Sequence, residues 1–228
     1  TNYYQYREDS IHNANLRGIA SKVNTPMPVT ITIIYNRLFD TYGPQGWWPL
    51  LEHDGSNPTR TGDIGGYHPE NYRLPETQRQ QFEICIGAIL TQNTAWMNVE
   101  KALHNLDNIN AISAERLLEL SDDTLKDAIK PSGYFNMKAK KLQGFATFWL
   151  ELGQRTPKRD ELLAVWGIGP ETADCMRLYA WQEPDFVIDA YTRRILEHLR
   201  CIPADADYDE TRAFCVDGLE PTVPVYQE

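Results

Sequence analysis

The residues of this chain that could do chemistry gather in one stretch, 161–196, which reads ELLAVWGIGPETADCMRLYAWQEPDFVIDAYTRRIL. Leu162, Leu163 and Val165 end a helix, and Gly167–Ile168–Gly169 makes a tight turn in which two glycines allow positive φ and close backbone approach. Pro170 suits the first position of the following helix, which Thr172, Ala173, Cys175 and Met176 continue. A glycine turn that opens a helix presents several backbone amides outward, and such amides hold phosphate without any basic side chain. Further on, Val187–Ile188–Asp189–Ala190–Tyr191–Thr192 places an acid directly after an apolar lead-in. At a helix start the dipole keeps such a carboxylate ionised. It could then stabilise a developing cation and orient or deprotonate a water. Each feature alone has a plainer reading: Gly167-x-Gly169 as an ordinary helix–helix turn, Asp189 as a plain N-cap.

The elements that must position these residues are helical. Phe82, Ile86, Ile89 and Leu90 make an apolar stripe at spacings of three and four, and Leu142, Phe145, Ala146, Trp149 and Leu152 make another. Ser113 opens a short helix containing Leu117, Leu118 and Leu120, and Ser121 opens one containing Leu125 and Ile129, each serine able to cap a first turn. Strand-like alternation is nearly absent, with Val29–Ile34 the one weak case. The expected fold class is all-α, built of roughly ten short helices. Residues 1–28 are polar, lack a period and end in Pro26–Met27–Pro28, so they read as a polar N-terminal extension ahead of a domain spanning 29–228. Residues 53–75, rich in Gly and Pro, read as a long loop.

Composition bounds the function classes. With 228 residues and 42% apolar content the chain can bury a proper core. No apolar run approaches the roughly 20 residues needed to cross a bilayer, and the polar N-terminus shows no signal peptide. Cys85, Cys175, Cys201 and Cys215 match no metal-ligand spacing and read as small buried hydrophobes. The formal net charge of −10 argues, taken alone, against a nucleic-acid partner. The charge is uneven, however. Lys126, Lys130, Lys138, Lys140 and Lys141 fall close together, whereas Asp205, Asp207, Asp209, Glu210, Asp217 and Glu220 crowd the C-terminal end. An acidic body also fits adaptation to high salt, or a protein with no polyanion partner.

Taken together, the Gly turn, the Pro-containing segment and Asp189 resemble the signature of the endonuclease III superfamily of helix-hairpin-helix DNA glycosylases. Gly87–Ala88–Ile89–Leu90–Thr91–Gln92–Asn93–Thr94 resembles that superfamily's Gln/Asn-rich turn, and Gly133–Tyr134–Phe135–Asn136–Met137–Lys138–Ala139 resembles its Gly-aromatic-aromatic-Asn-x-Lys-Ala segment. The resemblance covers residues 76–200. It implies two helical lobes flanking a cleft, at 82–185 and at 29–81 plus 186–228. It also implies a damaged duplex DNA partner, no membrane, a monomer, and a cytoplasmic, nucleoid-associated place. DNA would be gripped by Gly167, Ile168, Gly169, Glu171 and Thr172 and the target nucleotide turned out of the stack. Gln92 or Asn93 would fill the gap, and Asp189 would stabilise the oxocarbenium-like sugar. Lys138, with Lys140 and Lys141, reads equally as a phosphate contact or as a solvated helix face.

Two departures narrow the expectation. Members that also cut the strand carry a lysine that forms a Schiff base with the sugar; the matching position here is Glu171, and a carboxylate cannot form an imine. Many members carry a four-cysteine iron–sulfur motif, which this chain lacks, so no cofactor and no metal are expected. Trp47–Trp48–Pro49, Trp96 and Asp189-x-Tyr191 resemble the bacterial 3-methyladenine branch. Indole faces suit a cationic alkylated purine, and a cationic base leaves without a strong general acid. Two adjacent tryptophans cannot easily face one core, so at least one of Trp47 and Trp48 should line a cleft. Uracil, mismatched thymine or adenine, a glycosylase with lyase activity, and a non-catalytic DNA-binding domain stay open.

Overall fold

A computed structural model describes residues 30–58 and 65–228; the expected N-terminal extension, 1–28, lies outside the described residues. Among the described residues the chain is all helical, with no strand. The weak strand expected at Val29–Ile34 is instead the start of a helix, α1 (Ile31–Tyr42). Thr30 caps it by accepting from the Ile33 amide, and the three-residue spacing of Ile31 and Ile34 puts both on one buried face. A capping residue and a helical period here outweigh the β-propensity of isoleucine.

The central helix is α2 (Gln78–Leu90), opened by a reciprocal capping box between Thr77 and Gln80. Every residue from Phe82 to Leu90 is buried, more than an amphipathic stripe would bury, because neighbours cover α2 on all sides. Around it lie α3 (Trp96–Asn108), α4 (Ala114–Glu119) and α5 (Asp122–Ile129). A 3₁₀ turn (Lys130–Ser132) follows, then α6 (Phe135–Leu152), α7 (Arg159–Leu163) and α8 (Pro170–Ala180). Ser113 and Ser121 cap α4 and α5, as their positions before apolar runs indicate. The chain closes with α9 (Ala190–His198), α10 (Tyr208–Gly218) and α11 (Val223–Gln227).

Two apolar clusters result. The larger runs from Trp48 to Ala180, and the smaller joins Ile31 and Ile34 of α1 to Ile188, Leu196, Ile202, Ala206 and Cys215. Within the segment 30–81, Trp48, Leu50 and Leu74 pack into the larger cluster and Ile31 and Ile34 of α1 into the smaller, while Gln45 and Tyr72 reach Glu228 at the C-terminal end. All four cysteines are free. Cys85 and Cys215 are buried, as small hydrophobes would be.

The segment after Trp48 is pinned by one buried acid. Glu83 of α2 accepts from the Leu51 amide at 2.7 Å and lies 3.4 Å from Arg79. Burial pushes its carboxyl up to about 7 against the pull of the Leu51 amide and Arg79; Glu52 and Asp107 push the same way. A carboxyl raised in the fold stabilises the folded state when protonated, so this contribution is complete below about pH 4.5 and is lost as pH rises through 7. Its size is about 3 kcal/mol. Urea unfolding at pH 5 and pH 7.5 should show the wild type losing stability across that window and Glu83→Gln losing much less; parallel curves for the two would remove Glu83 as the cause.

Candidate active site

The turn between α7 and α8 is built around Gly167, whose φ is +87°. A Cβ there would also meet the Lys141 stem at 2.7 Å, so glycine is required on two counts. Gly169 does not use the positive φ that a glycine allows. Its φ of −97° and ψ of 178° are ordinary extended backbone. A Cβ there would have nothing within 4 Å, so the turn is open on that side, just ahead of α8. Pro170 occupies the first turn of α8 as expected. Ile168 is buried and anchors the turn to the core, so only its backbone is available to a ligand.

Of the two residues expected to fill the gap in the duplex, Gln92 is engaged within the protein. Its amide nitrogen donates to the Gly167 carbonyl and to Thr172 Oγ1, each at 3.1 Å, and its oxygen accepts from Lys141 Nζ. It is the strut that ties the α2–α3 turn to the hairpin, and it takes up the buried Thr172 hydroxyl as well. Asn93 beside it is exposed, with φ of +55°, a conformation asparagine tolerates better than most residues. The α2–α3 turn therefore presents Asn93 outward and Gln92 inward.

Lys138 also needs correction, and neither sequence alternative survives. It is 2% exposed, and its ammonium donates to the carbonyls of Leu90 (2.8 Å) and Ser132 (2.7 Å). It satisfies the end of α2 and fixes the Gly133–Tyr134 turn beside it, so it is unavailable to a phosphate. Burial first, then Lys141, lowers its pKa to about 8.

Asp189 caps α9 by accepting from the Thr192 amide at 2.7 Å. Its second oxygen makes no hydrogen bond among the described residues. The segment that delivers it is held on both sides. Arg177 and Arg212 both grip Asp185, Arg212 at 2.6 Å. The Tyr208 hydroxyl accepts from the Ile188 amide at 3.3 Å and donates to Asp174 at 2.9 Å. Asp174 is wholly buried and is clamped bidentately by Arg159 at 2.6 and 3.1 Å.

Facing Asp189 is one side of α8. Glu171, Cys175 and Tyr179 follow at spacings of four and share that side. Partial desolvation and then the Asp189 charge push the Glu171 carboxyl up, and Asp189 acts on Cys175 and Tyr179 in the same direction. Tyr179 was missed in the sequence, although the Glu171–Cys175–Tyr179 period was there to find it. Its ring lies 5.8 Å from that of Trp48, so this side of α8 ends on an aromatic cluster. Trp47, Trp48 and Trp96 meet at 4.7 to 5.4 Å, and Tyr67 packs on Trp47 at 5.8 Å. Contrary to the expectation that they diverge, Trp47 and Trp48 enter the same cluster. Trp48 is 3% exposed and lies against Gly87, where a Cβ would sit 3.0 Å from its ring. Trp96 spends its indole N–H on Glu100 at 2.8 Å. Trp47, half-buried, is the more open of the adjacent pair.

An iron–sulfur cluster needs four thiolates in one place. Cys85 and Cys175 belong to the larger cluster and Cys201 and Cys215 to the smaller, and no three metal-ligating side chains meet among the described residues. These residues do not fit such a group.

The family description "HhH-GPD superfamily base excision DNA repair protein" matches residues 86–221. The candidate DNA repair glycosylase MJ1434 of Methanocaldococcus jannaschii is 35% identical over 206 residues, 86% of this chain and 81% of that protein. Endonuclease III homolog 1 of Arabidopsis thaliana is 26% identical over 84% of this chain and 51% of its own length. Among solved structures, the Helicobacter pylori 3-methyladenine DNA glycosylase MagIII, bound to 1,N6-ethenoadenine, superposes with a TM-score of 0.66 at 25% identity, covering 87% of this chain and 93% of that one. An endonuclease III–DNA complex shares the fold, with a TM-score of 0.67 at 15% identity over 87% of this chain and 84% of its own. With its hairpin, its capped Asp189 and a family match over more than half its length, this chain belongs to the HhH-GPD superfamily of base excision DNA repair proteins.

Proposed function

We propose that this protein is a monofunctional DNA glycosylase that releases an alkylated purine, 3-methyladenine or a related adduct, and leaves an abasic site. The observation that carries the reading is Glu171. It stands on the first turn of α8, within the field of Asp189, where strand-cutting relatives would need an amine. The aromatic cluster at the end of the Glu171–Cys175–Tyr179 side of α8 supports a purine, as does the likeness to a 3-methyladenine glycosylase crystallised with an adenine adduct.

In this scheme the hairpin amides hold the backbone and the damaged nucleotide swings toward Asp189. The glycosidic C1′–N bond breaks and its electron pair leaves with the base, which departs neutral because the alkylated purine was cationic. Asp189 faces the resulting sugar cation, and a water adds to C1′ and gives up its proton to that carboxylate. Partial desolvation and the neighbouring Asp189 charge push the Glu171 carboxyl up, which makes it a poor stabiliser of a cation, and this reading gives the role to Asp189, whose second oxygen is unspent by its cap.

Asp189→Asn is a clean test because asparagine caps a helix as well as aspartate does. It should lower base release from methylated duplex more than about 100-fold with unfolding unchanged; near-normal release would end the assignment of Asp189. The product of the wild type, run on a denaturing gel, should break only after alkali. Breaks without alkali would establish lyase activity, and absence of methylpurine release would move the substrate to uracil or mismatches. Glu171→Lys should yield strand breaks and a borohydride-trapped adduct. Tyr208→Phe, which unties the Ile188 amide, should lower kcat about tenfold, or about 1.4 kcal/mol, with KM little changed; an unaltered kcat would mean that the two arginines on Asp185 suffice.

A further inference from the structure

The chain must hold a polyanion while carrying a net charge of −10. Most of the cations around the hairpin are already engaged. Lys138 is buried on two carbonyls, Lys141 donates to Gln92, Arg155 pairs with Glu161, and Arg159 is divided between Asp174 and Asp209. Lys140 and Lys158 are exposed without an ion pair among the described residues, which leaves two cations to meet phosphate here. What the hairpin displays instead is Trp166. This residue directly precedes Gly167, is 60% exposed, and its side chain has no hydrogen bond or ring partner among the described residues. A single exposed aromatic is unremarkable in general. Here it directly precedes the hairpin turn, whose Gly169 side is open space at the start of α8.

We propose that Trp166 is a DNA contact, its indole lying on a deoxyribose of the strand whose phosphate the hairpin amides hold, and that the grip at this turn is mainly non-ionic. The proposal rests on the reading that the protein acts on duplex DNA. Backbone amides and an indole release few counterions on binding, so affinity built from them survives salt. An aromatic face against a nucleotide is also tolerant of sequence, as a lesion-searching enzyme requires. An acidic body then costs less than it would for a protein relying on lysines.

Anisotropy with a labelled duplex, measured over a range of salt, tests this on the full chain. The wild type should show a slope of log affinity against log salt of magnitude about 3 or less, against the roughly 6 to 9 of binders making many phosphate contacts. Trp166→Ala should weaken binding about tenfold at every salt concentration, with the slope unchanged, and Trp166→Phe should keep most of the affinity. Trp166→Lys should steepen the slope by about 0.9, the mark of one added phosphate contact, which a merely structural residue would not produce. Equal affinity of Trp166→Ala and wild type, or no steepening with lysine, overturns the contact, and a steep wild-type slope overturns the non-ionic grip. A folded wild type that binds no duplex removes the functional reading itself, a result distinct from any of these.

Discussion

A buried carboxylate is tolerated only when its lone pairs are filled, and Asp174 is the one around which this chain is arranged. It lies on α8, wholly out of water, and takes both nitrogens of Arg159's fork together with the Tyr208 hydroxyl, with Arg212 at 3.6 Å. Those partners come from α7 and α10, so one charge draws the start of the hairpin and the C-terminal helices onto one helix. Arg212 reaches on to Asp185, where Arg177 also binds, and Tyr208 reaches on to the Ile188 amide. The segment carrying Asp189 is fixed at both ends by consequences of the Asp174 charge. Removing one partner would strand charge inside the protein, a cost of several kcal/mol.

The opposite face of α8 does different work from the same sequence. Asp174 and Arg177 point toward the network, whereas Glu171, Cys175 and Tyr179, a turn apart, point toward Asp189. The helical period thus separates scaffold from site within eleven residues. A similar division holds for the α2–α3 turn, where Gln92 braces the hairpin and Asn93 faces out.

What was legible in the sequence depended on how local the cause was. Helices opened by serine caps, Pro170 at the start of α8 and the hairpin glycine with positive φ follow from a few neighbouring residues, and they stand where expected. Lys138 was not legible. Only the folded chain reveals that the end of α2 and the 3₁₀ turn present two unsatisfied carbonyls to one ammonium, 48 and 6 residues away in sequence. The bracing contacts of Gln92 were not legible for the same reason, because its partners lie 75 and 80 residues on. The tryptophans were half legible: that they cluster agrees with their size and shape, but Trp48 needed Gly87 to open a place for its ring on α2.

Asp189 shows why the plain and the chemical readings of a residue need not compete. As a cap it spends one oxygen on the Thr192 amide, which fixes the carboxylate's orientation without occupying it fully. The second oxygen is left for a ligand, and the first turn of α9 supplies partial positive charge behind it. A side chain rooted in this way loses little freedom when substrate arrives, which is what preorganised electrostatic stabilisation requires. The structural role is therefore the means by which the proposed chemical one would be made available: a free aspartate on a loop would have to be ordered at each turnover, and this one is ordered by the helix it begins.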